Sequence, residues 1–305
     1  MTIAICLKVG DGVVLGTDSA TSLIGENNEY YNIYLSGEKT INVVKGLPIG
    51  LMTYGLGALM GLSIGSLARD LRNRLTVPDP ILYPDWALDV DNYTMEEVAD
   101  RVKLFFYDEM YVQEYGTSTH PPGESHTGAG WDQHPQEPPV EARIPTFPVM
   151  GFVVAGFSAN DYYPEVWTIT IDEAGYCTGP TLLYSREDSG VIDFWGQPEA
   201  LHRLVNGWSS EAHQRLVDAG LAPDVADQLL VSHTELAHPG MPMQDAIDLV
   251  RYLADVTVGF VRFKPGIPTV APPIDIAAIT RHQGFRWVSR KHYYPANLNP
   301  SAEDG

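Results

Sequence analysis

Apolar residues take every second position at the start of the chain, where Ile3, Ile5 and Leu7 alternate with Thr2, Ala4 and Cys6. A period of two predicts a half-buried β-strand. Gly10-Asp11-Gly12 tolerates the backbone angles of a hairpin turn, and Val13, Val14 and Leu15 then run back to Asp18. A turn of two or three residues sets Thr2 opposite Ser19 or Ala20, one or two positions from Asp18. Residues 23–38 are polar and glycine-punctuated and predict a loop. Short strands follow at 39–43 and 47–54. Gly55-Leu56-Gly57 breaks the second before a helix marked by Leu59, Leu62, Ile64, Leu67 and Leu71 and ending in Arg72 and Arg74.

Residues 78–84 read as a proline-rich link. Thr94 and Glu97 form a capping-box pattern ahead of a helix over 95–111. Residues 116–143 are rich in Gly, Pro, Ser, Thr and His and predict a long surface loop. Strands are predicted at 149–157 and 165–171, with a turn at Glu173-Ala174-Gly175. Helices are predicted near 198–205, 210–238 and 243–258, the last with Ala246, Ile247, Val250 and Leu253 on one face. That stripe reads either as core or as a surface for a partner. Strands at 274–279 and 284–288 close the chain, and a polar, loose tail starts at Arg290. This order of elements predicts an α+β layered sandwich. We expect one domain over residues 1–290, an inserted loop at about 116–143 and a tail at 291–305.

Composition narrows the function classes. With 44% hydrophobic residues in 305, the chain can bury a large core. No run of about 18 apolar residues predicts a membrane span, and no basic stretch followed by an apolar one predicts a signal peptide. Cys6 and Cys177 lie far apart and outside metal-ligand spacing, which suits a reducing cytosol. An excess of 39 acidic over 19 basic residues, a net charge of −20, argues against nonspecific nucleic-acid binding. It suits a large assembly kept soluble, or a salty or acid-rich proteome.

Candidate chemistry gathers at the N-terminus. Removal of Met1 ahead of the small Thr2, with no longer propeptide, is expected to put a hydroxyl and a free amine on one residue. That pairing is the threonine form of an activated nucleophile. Lys39 has two readings. Its stem lies on an apolar face and its ammonium snorkels to water, or it is a partly desolvated cation that lowers a neighbour's pKa. Strand, glycine turn and helix start around Gly55 make a donor-rich place for an oxyanion. Gly55, Gly57 and Gly61 miss the spacing of a dinucleotide fingerprint. His120, His126 and His134, with Glu124 and Asp132, match no metal-site spacing and read as solvated loop.

Four stretches together resemble a proteasome β-type subunit, an N-terminal-nucleophile hydrolase. They are Thr2-Ile3 with Asp11-Gly12-Val13-Val14-Leu15 and Asp18-Ser19, the run from Lys39 to Val43, Met52-Thr53-Tyr54-Gly55, and Val153-Ala155-Gly156-Phe157 with Pro273-Ile274-Asp275-Ile276. Among relatives, the resemblance is nearest to bacterial proteasome homologues outside the 20S and HslV types. It implies a four-layer αββα sandwich with two stacked antiparallel sheets. It also implies Thr2 as nucleophile, Lys39 lowering the pKa of its hydroxyl, Asp18 orienting Lys39, and Gly55, Ser22 and Thr53 at the oxyanion and substrate positions.

Two departures stand out. Trp195-Gly196 replaces the family's Ser-Gly, so that Trp195 fills a site wall, and Gly259 replaces an acid in the late helix. The function expected is a threonine peptidase or amidase in a ring-like or helical homo-oligomer, acting on unfolded or peptide substrates in the cytoplasm. An ATPase partner is left open, and no cofactor, metal, nucleic acid or membrane is expected. A catalytically weak or inactive structural member is the alternative, and a dinucleotide-binding oxidoreductase ranks behind both.

Overall fold

A two-residue turn, Gly10-Asp11, sends β1 (Ile3–Val9) straight back as β2 (Gly12–Thr17), in the register Ala4 opposite Thr17 and Val9 opposite Gly12. Continued two steps beyond Ala4, that register sets Thr2 across from Ser19. The computed structural model describes residues 2–24, 30–116, 147–230, 234–266 and 268–291. The loop expected at 116–143 with its histidines, and the tail beyond 291, lie almost wholly outside the described residues.

After β2 the chain forms a small hairpin, β3 (Thr21–Ile24) and β4 (Tyr30–Tyr34), where polarity and glycine had predicted loop throughout. Next come β5 (Thr40–Asn42) and β6 (Ile49–Gly55). The predicted helix does not begin at the glycine turn. A further hairpin, β7 (Ala58–Leu59) and β8 (Leu62–Ser63), intervenes, and α1 (Ile64–Thr76) starts where the Ser63 hydroxyl accepts the Ser66 amide at 3.2 Å. Thr94 caps α2 (Met95–Lys103) by accepting from the Glu97 amide, while the Glu97 carboxylate pairs with Arg101 rather than turning back to the cap. The helix continues as a π-helical stretch, Leu104–Tyr111, and then α3 (Val112–Tyr115), burying Phe105, Phe106 and Tyr111.

β9 (Met150–Gly156) and β10 (Glu165–Ile171) follow as predicted. β11 (Cys177–Tyr184) and β12 (Val191–Gly196) are strands that the pattern did not predict. Beyond α4 (Glu199–Val205), the single helix expected over 210–238 is two, α5 (Ser210–Asp218) and α6 (Pro223–Leu230), parted at Gly220 with its φ of +96°. The long helix α7 (Met243–Phe263) and the strands β13 (Asp275–Thr280) and β14 (Gly284–Ser289) complete the described chain.

The strands build two five-stranded antiparallel sheets, ordered β12-β1-β2-β13-β14 and β11-β10-β9-β6-β5. The fold is thus α+β, compatible with a sandwich. β1 is buried on both faces, not one. Ile3, Ile5 and Leu7 pack with Val250, Leu253 and Ala254 of α7, while the small Ala4 and Cys6 pack with Met52, Val153 and Ala155 of the second sheet. α2 and the π-helical stretch cover Phe152, Val154 and Ile169 of that second sheet. Residues that read as the polar side of a half-buried strand are small residues facing another sheet.

The apolar stripe of α7 is core, which corrects its reading as a partner surface. Ala246, Ile247, Val250 and Leu253 are buried, and a Cβ at Gly16 would come within 2.5 Å of Val250 Cγ1. Among the described residues no helix is long and apolar enough to cross a membrane. Leu253→Ala should therefore cost about 2–5 kcal/mol in urea unfolding, whereas Tyr252→Ala, at a side chain 51% exposed, should stay within about 0.5 kcal/mol.

Candidate functional site

One carboxylate joins the ends of three segments. Asp18 follows directly on β2, and its amide extends the β1–β2 ladder by donating to the Ile3 carbonyl at 3.2 Å. Its side chain is fully buried and accepts four hydrogen bonds. Oδ1 takes the Ile3 amide at 3.1 Å and the Lys39 ammonium at 2.6 Å. Oδ2 takes the Ala20 amide at 3.0 Å and the Ala271 amide at 3.2 Å. Three backbone donors and one ammonium satisfy the hydrogen-bonding capacity of a carboxylate that is cut off from water.

Lys39 stands just ahead of β5, 6% exposed. The structure overturns the snorkelling reading: the ammonium turns inward and donates to Asp18 and to the Ala20 carbonyl. Its backbone carbonyl accepts the Thr53 amide at 2.9 Å, fixing β5 against β6. Burial pushes the Lys39 ammonium below the ordinary lysine value, Asp18 opposes that shift, and the nearby Lys291 adds to it. An ammonium has three N–H donors. Among the described residues two of those on Lys39 have protein acceptors.

Thr2 is 2% exposed, and its peptide to Ile3 supplies the amide that Asp18 holds. Over it lies Gly196 at the end of β12, with a φ of +92° and no room for a side chain, since a Cβ there would fall 2.0 Å from the Thr2 carbonyl oxygen. Trp195, opposite Ala4 in the sheet, stacks on Tyr54 of β6 at 5.8 Å between ring centroids and walls the space between the two sheets. Gly259 sits in α7 with nothing within 4 Å of where a side chain would begin.

Thr53 is 3% exposed, and its buried hydroxyl has no hydrogen-bond partner among the described residues. Gly55, two residues on along the same strand, has a φ of +86°, and a Cβ there would lie 2.3 Å from the Val149 carbonyl oxygen. Because β7 and β8 come before α1, Gly55 is not at a helix N-terminus, and the expectation of a helix-start donor site there is corrected. Ser22 lies in β3 opposite Ile33, and its side chain is outside the described residues.

A second buried pair escaped the sequence reading. Lys291, assigned to a loose tail, donates to Asp275 Oδ2 at 2.5 Å and to the Ser19 hydroxyl at 2.8 Å. Ser19 in turn donates to the Pro273 carbonyl at 2.6 Å. Asp275 faces Thr17 across β2 and β13, so the two acid–lysine pairs lie side by side at the end of β2. Asp18-Ser19 and Asp275 were visible as motif residues; nothing in the polar run around Lys291 signalled its role. Among the described residues no cluster of His, Cys, Asp and Glu could hold a metal ion.

No family model and no curated protein matches the chain. Solved structures that align along nearly its whole length include Anbu proteins. The helical assembly of the Anbu complex from Pseudomonas aeruginosa is 14% identical with a TM-score of 0.45, covering 97% of this chain and 90% of that one. Anbu (ancestral beta-subunit) from Yersinia bercovieri is 12% identical with a TM-score of 0.46, covering 96% and 89%. A Gly-1 mutant of Anbu from Hyphomicrobium sp. strain MC1 is 13% identical with a TM-score of 0.44, covering 98% and 92%. These findings correct the family resemblance: the structural neighbours are a group distinct from the proteasome β-type subunits, and no family or curated match places the chain among the latter. Likeness at this level assigns no activity.

Removing either end of the Asp18–Lys39 pair should have unequal effects. Asp18→Ala strands three backbone donors and a buried ammonium and should cost about 3–5 kcal/mol. Lys39→Met leaves the carboxylate with its three amides and should cost clearly less. Urea unfolding of both variants against wild type measures the difference.

Proposed function

We propose that the chain hydrolyses amide bonds with Thr2 as its nucleophile, once removal of Met1 has freed the Thr2 amine. The observation that carries this reading is the Asp18 carboxylate, which holds the Thr2–Ile3 peptide and the Lys39 ammonium on one oxygen.

In the proposed reaction the Thr2 hydroxyl attacks the substrate carbonyl and passes its proton to the Thr2 amine, directly or through water. The third donor of Lys39 stabilises the developing alkoxide, and Asp18 keeps the ammonium aimed. The Gly55 amide meets the oxyanion, with Thr53 and Ser22 toward the substrate. Collapse forms an ester on Thr2 and releases the amine product, which takes the proton held by the Thr2 amine. Water, deprotonated by the same amine, then cleaves the ester and restores Thr2.

We place this chemistry in a single four-layer αββα sandwich, residues 1–290. The reading also takes the chain as a cytoplasmic, self-assembling protein, ring-like or helical. Two free cysteines, Cys6 and Cys177, accord with a reducing compartment. Ile81 and Leu82, 88% and 69% exposed, are apolar side chains available to a second copy.

A weakly active or inactive structural member is favoured by one observation, the 2% exposure of Thr2. Intact mass decides between the two readings. Preparations lacking Met1 should gain the mass of one threonine-directed electrophile, and Lys39→Met should label about 10²–10⁴-fold more slowly, the usual span of acid–base and electrostatic contributions. Equal labelling rates in both would remove the catalytic reading, and Met1 retained throughout an active preparation would remove the free-amine mechanism.

A further inference from the structure

A chain with a net charge of −20 gathers five of its 19 lysines and arginines around one cavity. The cavity, about 580 Å³, opens between the β5–β6 turn, α1 and β14. Lys45, Arg69, Arg72, Arg286 and Arg290 line it, and Glu38 is the one carboxylate among its described lining residues. Glu38 is already shared: one oxygen pairs with Arg69 and the other with Arg290 at 3.3 Å. Among the described residues Arg72, Arg286 and Lys45 pair with no carboxylate, and the Nε of Arg72 is buried without a hydrogen-bond partner. Five cations against one acid leave an excess of four positive charges in a partly enclosed space, where a dielectric lower than water's makes their repulsion costly. Burial and the neighbouring Arg69 push the Arg72 guanidinium below its ordinary value, and Glu38 opposes that shift without cancelling it.

We propose that this cavity binds an oligophosphate, the phosphate chain of a free polyphosphate or of a nucleoside triphosphate. Four arginines favour phosphate, because the planar guanidinium fork meets two phosphate oxygens at once. The volume exceeds the need of a single phosphate, and the charge excess calls for a multivalent anion. Trp287 lines the same cavity with the Arg290 guanidinium over its ring, 4.9 Å from the centroid, and when Arg290 turns to phosphate that ring face becomes available to a base. The site is distinct from the proposed hydrolytic centre and adjoins it in the chain at Glu38–Lys39 and Arg290–Lys291.

The test is calorimetric titration of the full chain with inorganic tripolyphosphate and, in a second arm, adenosine triphosphate, both without divalent metal and at constant ionic strength. Hydrolysis is not read, so this proposal and the catalytic one fail independently. Tripolyphosphate should bind saturably, one per chain. Arg72→Gln with Arg286→Gln should weaken it at least about tenfold, and Arg281→Gln, outside the cavity, should leave it unchanged. Tighter binding of the nucleotide assigns the base to Trp287, and equal binding assigns the phosphate chain alone; either supports the site. If the double variant does not fold, Lys45→Gln on the exposed turn, with a loss of about threefold or more, carries the same decision. Absence of saturable binding, affinity unchanged by removal of the cavity cations, or a hexaglutamate peptide binding as tightly as tripolyphosphate would overturn the proposal.

Discussion

The Asp18 carboxylate is the constraint on which the site depends. It lies where the β1–β2 ladder runs out, and its four hydrogen bonds replace the ladder with ties to Ile3, Ala20, Lys39 and Ala271. A buried carboxylate without such partners would protonate or unfold its surroundings. With them, it fixes the start of β1, the entry to β5 and the segment ahead of β13 relative to one another. Lys39 then has little choice of position, because its carbonyl is held by β6 and its ammonium by Asp18 and Ala20. The neighbouring Lys291–Asp275 pair braces the same corner through Ser19.

How far the fold was legible follows from what each segment has to satisfy. The β1–β2 hairpin could be read to within one residue, because a turn of two or three residues put Thr2 opposite Ser19 or Ala20, and the two-residue turn of the structure selects Ser19. The capped α2 and the stripe of α7 were legible for the same reason: their periodicity is set by one buried face. β11 and β12 were not. β11 carries Gly179-Pro180 and lies at a sheet edge, and β12 is six residues long with Asp193 at its centre, so neither alternates. The start of α1 was misread because Leu59 and Leu62 fit a helical period while belonging to the β7–β8 hairpin.

The candidate site shows the same division. Thr2, Asp18, Lys39 and Gly55 stood out by spacing and residue type, and the inward turn of Lys39 came only with the fold. Sequence left open whether that lysine faced water or protein, since an apolar stem suits both. Lys291 was invisible: its partners Asp275 and Ser19 are distant in the chain and meet it through the β2–β13 pairing. The cationic cavity was equally hidden, because its five basic residues come from three segments of an acidic chain, and net charge reports only their sum.

The central claim is that Lys39 is a buried cation held charged by Asp18. Following the Lys39 Nζ resonance across pH in protein labelled with ¹⁵N-lysine tests it most directly, with Lys39→Met for assignment. Burial is the largest influence on this group and Asp18 the main opposing one. Lys39 should therefore titrate below the ordinary lysine value of 10.5 in wild type and lower still in Asp18→Asn. A Lys39 that titrates with the exposed lysines, and does not respond to Asp18→Asn, would contradict the account.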